Sequence, residues 1–189
     1  MKIVITGSEG NIGRALKRIW PDAIGIDWRG YPDLRCDLRA KYMLSHPIPS
    51  VLGGADAVIH LATSPDPGGP VLAHLEALTI TARLVETCAQ LRVPRLILPS
   101  SGWAEPAPGW PQEMTAYGHS KRAIEEMAAM YRAAGLHCVA LRYGWYAERF
   151  EDLPQDAAPA LLASWWGPER LECEMRAALT DPTTDRGEG

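Results

Sequence analysis

MKIVITGSEGNIG, residues 1–13, opens the chain, and its reading decides the fold. A short apolar run, Lys2 to Ile5, leads into Thr6 and then into glycines spaced Gly7-x-x-Gly10-x-x-Gly13. Leu16 and Ile19 follow at helical spacing. Strand, glycine turn, helix is the setting that a dinucleotide-binding loop requires. Gly7 serves the tight turn, Gly10 the approach of backbone to a pyrophosphate, and Gly13 the close packing of helix on sheet. The helix start, with Asn11 and Ile12 in its first turn, presents free N–H groups and partial positive charge to phosphates.

A second apolar run, Ala23 to Ile26, ends in Asp27, 20 residues after Gly7. An acidic residue at that distance accepts hydrogen bonds from the adenosine ribose hydroxyls and repels a 2′-phosphate. The expected cofactor is NAD, with NADP disfavoured. Arg29 and Arg35 stand close enough to soften that preference.

Composition agrees with one enzyme-sized unit. The chain has 189 residues, of which 47% are hydrophobic and 22% charged, enough to bury a sizeable core. A net charge of −4 without any Lys/Arg run speaks against nucleic acid or an anionic membrane as partner. No apolar stretch approaches a membrane span, and the start reads as a strand rather than a signal peptide. Cys36, Cys88, Cys138 and Cys173 lack CxxC spacing. They read as reduced packing residues of a cytoplasmic protein, with no metal site expected.

Strands and helices alternate along the chain. The expected order is a third strand over Leu34–Leu38, a fourth over Asp56–Ala62, a helix over Val71–Leu91, a fifth strand over Arg95–Ser101, a helix over Ala116–Ala134, and a sixth strand over His137–Tyr143. In the first of those helices Leu75, Leu78, Ala82, Val85 and Ala89 form the expected apolar face. A further amphipathic helix covers Pro168–Leu179, with Leu171, Met175 and Leu179 on one face, and the tail beyond it is polar. Repeated βα units predict an α/β fold: a doubly wound, Rossmann-like parallel sheet. Residues 1–144 form the expected dinucleotide-binding domain, and 145–189 a very small C-terminal segment on the substrate side. Ligands of such sheets sit at the carboxyl ends of the strands. The Pro/Gly-rich stretch Thr63–Pro70 and the loop Gly102–Thr115 both emerge on that edge.

The chemistry lies on the fifth strand and the helix after it. Ser100 and Ser101 close the strand, and Tyr117-Gly118-His119-Ser120-Lys121 opens the helix. Tyr117 and Lys121, four residues apart, share a helical face. A phenol titrates near pH 10, so it serves as a base only if its anion is stabilised. A lysine ammonium one turn away is expected to lower its pKa. With Ser101 holding the substrate oxygen, these groups could move a hydroxyl proton while a nicotinamide takes or gives hydride. Trp103, Trp110 and Trp145 fall in loops where a substrate would sit and are weak pocket candidates. The alternative is that the tryptophans cap a small core. His60 reads as a packing residue and His119 as exposed.

The ordered set TGSEGNIG, Asp27, CDL (36–38), HLAT (60–63), PSS (99–101), YGHSK (117–121) and LRYG (141–144) resembles the extended short-chain dehydrogenase/reductases, the NAD-dependent epimerase/dehydratase family. The resemblance covers residues 1 to about 145. It implies that Asp37 and Leu38 line the adenine and that Leu61 and Ala62 run along the cofactor. It makes Ser101, Tyr117 and Lys121 the catalytic trio, with Lys121 also on the nicotinamide ribose. Within the family, Leu162-Ala163-Ser164-Trp165 is similar to a Leu-Ser-x-Trp segment of uronate dehydrogenases. The chain departs from those patterns where Ala77 takes the place of a helix asparagine, Trp145 that of a serine, and Ala160 that of a carboxylate-binding arginine, which argues against a hexuronate substrate. The segment after Gly144 is shorter than the family's usual substrate domain, as a small variant or a shortened form would both have it.

Three function classes follow. The leading one is an NAD-dependent oxidoreductase acting on a secondary alcohol or carbonyl of a sugar-like or natural-product substrate. The second is a sugar epimerase or dehydratase with transient hydride transfer. The third is a non-redox relative, either an enzyme of cyclisation or proton transfer or an NAD-binding protein. The resemblance also implies a homodimer through the helices after the fourth and fifth strands. Ile124, Met127, Ala128, Tyr131 and Ala134, with Ala123, Met130 and Ala133, offer the surface on the second of these.

Overall fold

The computed structural model describes residues 1–40, 47–106 and 115–180. Six parallel strands form one sheet in the order β3-β2-β1-β4-β5-β6. They are β1 (Ile3–Thr6), β2 (Ile24–Asp27), β3 (Leu34–Arg35), β4 (Ala57–His60), β5 (Leu96–Ser101) and β6 (Cys138–Tyr143). The order reverses beside β1, where β2 and β4 flank it. That is the switch point at which a doubly wound sheet opens a crevice. The helices linking these strands are α1 (Asn11–Ile19), α2 (Ile48–Leu52), α3 (Val71–Gln90) and α4 (Ala116–Ala133). After β6 come β7 (Trp145–Tyr146), α5 (Pro159–Leu162), β8 (Trp165–Trp166) and α6 (Pro168–Thr180).

Alternation along each strand splits the core into two faces. Val4, Val58, Leu96 and Leu98 pack with α2, α3 and α4 residues such as Leu52, Leu84 and Ile124. Ile3, Ile5, Ile59 and Ile97 face the other way, onto Ala15 and Leu16 of α1 and Leu171, Met175 and Leu179 of α6. The last helix therefore covers the sheet alongside the first. β4 ends before Pro99 of β5, so the missing proline N–H breaks no rung of that ladder.

Three expectations change. The third strand is only Leu34–Arg35, because just two residue pairs join it to β2. The apolar face assigned to α3 is displaced: Leu75 and Ala82 are exposed, and Leu78 and Ala89 only half-buried. The buried side is His74, Ala77, Ile80, Thr81, Leu84, Val85, Thr87 and Cys88. The helix is apolar nearly all round, so periodicity alone could not choose a face. The two-residue strands β7 and β8, which pair Trp145 with Trp165 and Tyr146 with Trp166, had no local signal at all. The cysteines are free, with Cys88 and Cys138 buried, Cys36 half-buried and Cys173 exposed. Among the described residues no helix is long and apolar enough to cross a membrane.

Candidate active site

A cleft of about 820 Å³ lies over the carboxyl ends of the strands, at the switch point. One end is the glycine turn. Gly7 has a φ of +74°, and a side chain there would meet the Leu61 carbonyl carbon at 2.6 Å. Only glycine fits a turn that is both left-handed and pressed against the next strand's exit. Gly10 precedes α1 in extended conformation, and no side chain caps the helix. The first-turn N–H groups of Asn11, Ile12 and Gly13 therefore remain available to an anion, and all three residues line the cleft.

Behind the turn, a buried histidine ties three elements together. His60 Nδ1 meets Thr6 Oγ1 at 2.6 Å, and its Nε2 meets Thr81 Oγ1 at 3.1 Å. Thr81 donates its own proton to the Ala77 carbonyl, so Nε2 carries the imidazole proton and Nδ1 accepts from Thr6. Burial pushes the His60 pKa down to about 3, which keeps the ring neutral. The ends of β1 and β4 and the middle of α3 are thereby fixed around Gly7.

Asp27 lines the cleft at the end of β2. Its carboxylate accepts the N–H of Glu9 at 3.0 Å on one oxygen, and those of Trp28 and Arg29 at 2.7 and 3.2 Å on the other. These bonds aim it across the mouth of the glycine turn and leave lone pairs for two vicinal hydroxyls. Asp37 and Leu38 line the same region, as do Leu61 and Ala62 opposite. Asp37 is clasped by Arg39, whose hydrogen bond holds the carboxyl below its usual pKa. Trp28 takes the guanidinium groups of Arg29 and Arg39 over its ring, at 5.0 and 4.9 Å.

Ser101, Tyr117 and Lys121 meet at the other end of the cleft. Ser101 is the last residue of β5 and caps a short 3₁₀ turn, Gly102–Ala104. Thr115 caps α4 by accepting the Gly118 N–H, which sets the helical turn that carries Tyr117. The phenol is 9% exposed and the lysine 3%. Ser101 lies beside the phenol and opposes the upward push of burial on its pKa. Lys121 Nζ donates to the Pro99 carbonyl at 3.2 Å and to Thr63 Oγ1 at 3.3 Å, and stands 5.0 Å from the centre of the tyrosine ring.

The electrostatics correct one expectation. Burial drives the Tyr117 pKa upward, and the opposing influence is Ser101 rather than the Lys121 charge. Burial likewise lowers Lys121, to about 8. The lysine donates to Thr63 and Pro99 and faces the ring, which leaves one of its three N–H donors for a ligand.

Of the tryptophan candidates, Trp103 and Trp145 line the cleft, and Trp110 lies outside the described residues. Trp166 lines it too, but is a core residue packed on Tyr143. Trp165 instead donates Nε1–H to the Ala147 carbonyl. Both weighed roles, pocket wall and core cap, are thus filled by different tryptophans. Ala77 lines the cleft. Sequence reasoning missed His74, which is 2% exposed and set edge-on to the Tyr117 ring at 5.7 Å between centroids. It also missed Arg142, quoted only as part of LRYG and given no role, and Arg170, which belongs to no motif; both are at the cleft. His119 is exposed. Among the described residues no group of three or more His, Cys, Asp or Glu is placed to hold a metal ion.

Residues 3–165 match the family described as NAD dependent epimerase/dehydratase. No curated protein matches the chain. Solved structures resemble it over most of its length. MoeE5 in complex with UDP-glucuronic acid and NAD is 27% identical, with a TM-score of 0.65 over 78% of this chain and 56% of that one. A partial-consensus L-threonine 3-dehydrogenase is 25% identical, with a TM-score of 0.66 over 79% of this chain and 55% of that one. A mutated uronate dehydrogenase is 20% identical, with a TM-score of 0.75 over 96% of this chain and 70% of that one, a likeness of fold. The chain spans little more than half the length of the first two.

Proposed function

The chain belongs to the NAD-dependent epimerase/dehydratase family, and on that premise we propose that it is an oxidoreductase moving hydride between NAD and a secondary alcohol or carbonyl of a sugar-like or natural-product substrate. The observation that carries the reading is the placement of Ser101, Tyr117 and Lys121 in the same cleft as the uncapped start of α1 and Asp27. The cleft's volume of about 820 Å³, lined by both the glycine turn and the trio, suits a dinucleotide. Gly7, Gly10, Asn11, Ile12 and Gly13 would hold its pyrophosphate, Asp27 the adenosine ribose, Asp37 and Leu38 the adenine, and Leu61 and Ala62 its flank.

NAD supplies the hydride acceptor or donor at its nicotinamide ring. The protein's part is the proton. Ser101 orients the substrate oxygen against the Tyr117 hydroxyl. In the oxidising direction the ionised phenol takes the alcohol proton, and in the reducing direction the neutral phenol gives it back. The raised pKa of Tyr117 keeps the phenol in its neutral, proton-donating form. Lys121 would hold the nicotinamide ribose and shed its proton more readily than a solvated lysine. A screen of secondary alcohols with NAD, and of carbonyls with NADH, tests the reading through absorbance of the reduced nicotinamide. Tight NAD binding with no hydride transfer to any of them would replace it with the non-redox alternative. Membership of a family described as NAD dependent epimerase/dehydratase favours a second reading, in which the hydride is returned and the product is an epimer. Product sugars that differ from the substrate only at one carbon would identify it.

Asp27 sets the cofactor preference. A 2′-phosphate would meet a carboxylate already oriented by three backbone N–H groups, and Arg29 and Arg39 are turned onto Trp28. The expected result in calorimetry is NAD binding at least about tenfold tighter than NADP, the size of one unfavourable charge contact. Equal or tighter NADP binding would remove the role given to Asp27.

A two-fold homodimer is proposed through α3 and α4. Ile124 and Ala128 are buried on the sheet, so they cannot serve the contact. Val71, Leu72 and Leu75 of α3 and Met130 and Ala133 of α4 are exposed apolar residues that can. A stable contact would bury roughly 1,200–2,000 Å². Light scattering at micromolar concentration should give twice the 20.7 kDa chain mass, and the monomer mass would end the proposal. Free cysteines fit a cytoplasmic setting for this enzyme.

A further inference from the structure

Among the described residues, five basic side chains line the cleft: Arg29, Arg39, Lys121, Arg142 and Arg170. Three of them are held there by hydrogen bonds. Arg39 pairs with Asp37 at 2.8 Å, and Arg142 is held by Glu125 and Glu105 at 2.6 and 3.1 Å. Lys121 donates to Pro99 and Thr63, and Arg29 stacks on Trp28 beside Asp27. Arg170 differs. Its one ionic partner among the described residues, Glu174, is 3.8 Å away, too far for a hydrogen bond. It stands in the first turn of α6, where the helix dipole disfavours a cation, so helix stability does not account for it.

A run of contacts links this residue to the start of α1. The Arg170 guanidinium lies over the Trp166 ring at 5.3 Å. Trp166 pairs with Tyr146 between β8 and β7. The Tyr146 carbonyl accepts from Asn11 Nδ2 at 3.3 Å. Asn11 opens α1, whose first N–H groups no side chain caps. Below them, Leu171 and Met175 of α6 share a core with Ala15 and Leu16 of α1, so the two helix starts are held on the same side of the sheet. The glycine turn itself carries an acid, Glu9, and no side-chain cation before Arg14, which is turned back onto the Glu9 carbonyl.

We infer that Arg170 is an oxyanion-binding residue of the site, reaching over Trp166 toward the start of α1 to hold either the pyrophosphate of the dinucleotide or an acid group of the substrate beside it. A guanidinium presents a planar fork of donors matched to paired oxygens, and stacking on Trp166 orders that fork in advance. The inference rests on the reading of the cleft as an NAD site.

The test uses Arg170→Met, which keeps a long stem over Trp166 without charge, and Arg170→Lys, which keeps the charge. Both are compared with the unaltered chain by calorimetry, after matching thermal unfolding. If the anion is the pyrophosphate, Arg170→Met should weaken NAD about tenfold, the scale of one charge-assisted hydrogen bond. AMP, which lacks the pyrophosphate, should bind unchanged, and Arg170→Lys should recover most of the loss. If the anion belongs to the substrate, NAD binding should survive, and inorganic pyrophosphate should bind the NAD-saturated native chain but not the Met variant. No change in either arm overturns the inference. Failure of the native chain to bind NAD would strike at the proposed function instead, and pyrophosphate titration of the cofactor-free chain would then decide the role of Arg170 alone.

Discussion

Tyr117→Phe should lower turnover by about 10²- to 10⁴-fold, the usual contribution of a positioned general acid or base, while NAD affinity stays within about twofold. The variant removes a single oxygen. The ring it keeps is the part that packs edge-on against His74 and lies 5.0 Å from Lys121 Nζ, so the wall of the cleft should stand. What disappears is the hydroxyl beside Ser101, a group of the cleft able to exchange a proton with a substrate oxygen. Steady-state kinetics on an alcohol or carbonyl found by screening, with calorimetry for NAD, separates the two effects. Unchanged turnover would move the proton-transfer role off Tyr117. A matched loss of turnover and NAD affinity would show that the ring's position, not its hydroxyl, had been disturbed.

The parts of this protein legible in the sequence are those whose physics is local. A strand, a glycine turn and a helix start occupy thirteen consecutive residues, and each glycine answers to a contact within that unit or with the next strand. Tyr117 and Lys121 are one helical turn apart, so any helix over that stretch sets them on one face. Ser101 needed only the end of an apolar run. Placing all three in one cleft with Asp27 required the sheet order, which the repeated βα units leave open and the structure supplies.

What escaped reading was set by distant partners. α3 is apolar around most of its circumference, and which side is buried depends on Ala77, Thr81 and Cys88 meeting strands distant in the chain. β7 and β8 are two residues each and exist only through each other. Arg170 lies on the polar side of an ordinary amphipathic helix, and its place at the cleft comes from Trp166 and the α1–α6 contact. The sign of the Tyr117 shift failed for the same reason. A lysine four residues on is visible in the sequence, whereas burial of the phenol by α3 and β5 is a property of the fold.

Gly13→Ala should cost the protein its cofactor site, although alanine is the better helix former. Glycine inside a helix is disfavoured against alanine by about 1 kcal/mol, so propensity alone predicts a more stable α1. The geometry opposes it. A methyl at Gly13 would lie 2.2 Å from the Gly7 carbonyl oxygen, 2.7 Å from Ser8 Cα and 2.8 Å from the Ser8 carbonyl carbon. All three are backbone atoms, and no flexible side chain can yield. Overpacking of this kind costs about 1–3 kcal/mol or more, which outweighs the gain in propensity. Relief requires α1 to retreat from the turn, and with it the uncapped N–H groups of Asn11 and Ile12. Losing two hydrogen bonds to a charged phosphate, at about 1.5–3 kcal/mol each, corresponds to a fall in NAD affinity of at least about 100-fold. Gly68→Ala is the control, because a methyl there meets nothing closer than Asp66 Oδ1 at 3.5 Å and should leave NAD binding unchanged. Calorimetry with NAD on both variants, beside thermal unfolding, reads the difference. If the Gly13→Ala variant bound NAD as tightly as the native chain, the close approach of α1 to the glycine turn would not be what builds the cradle.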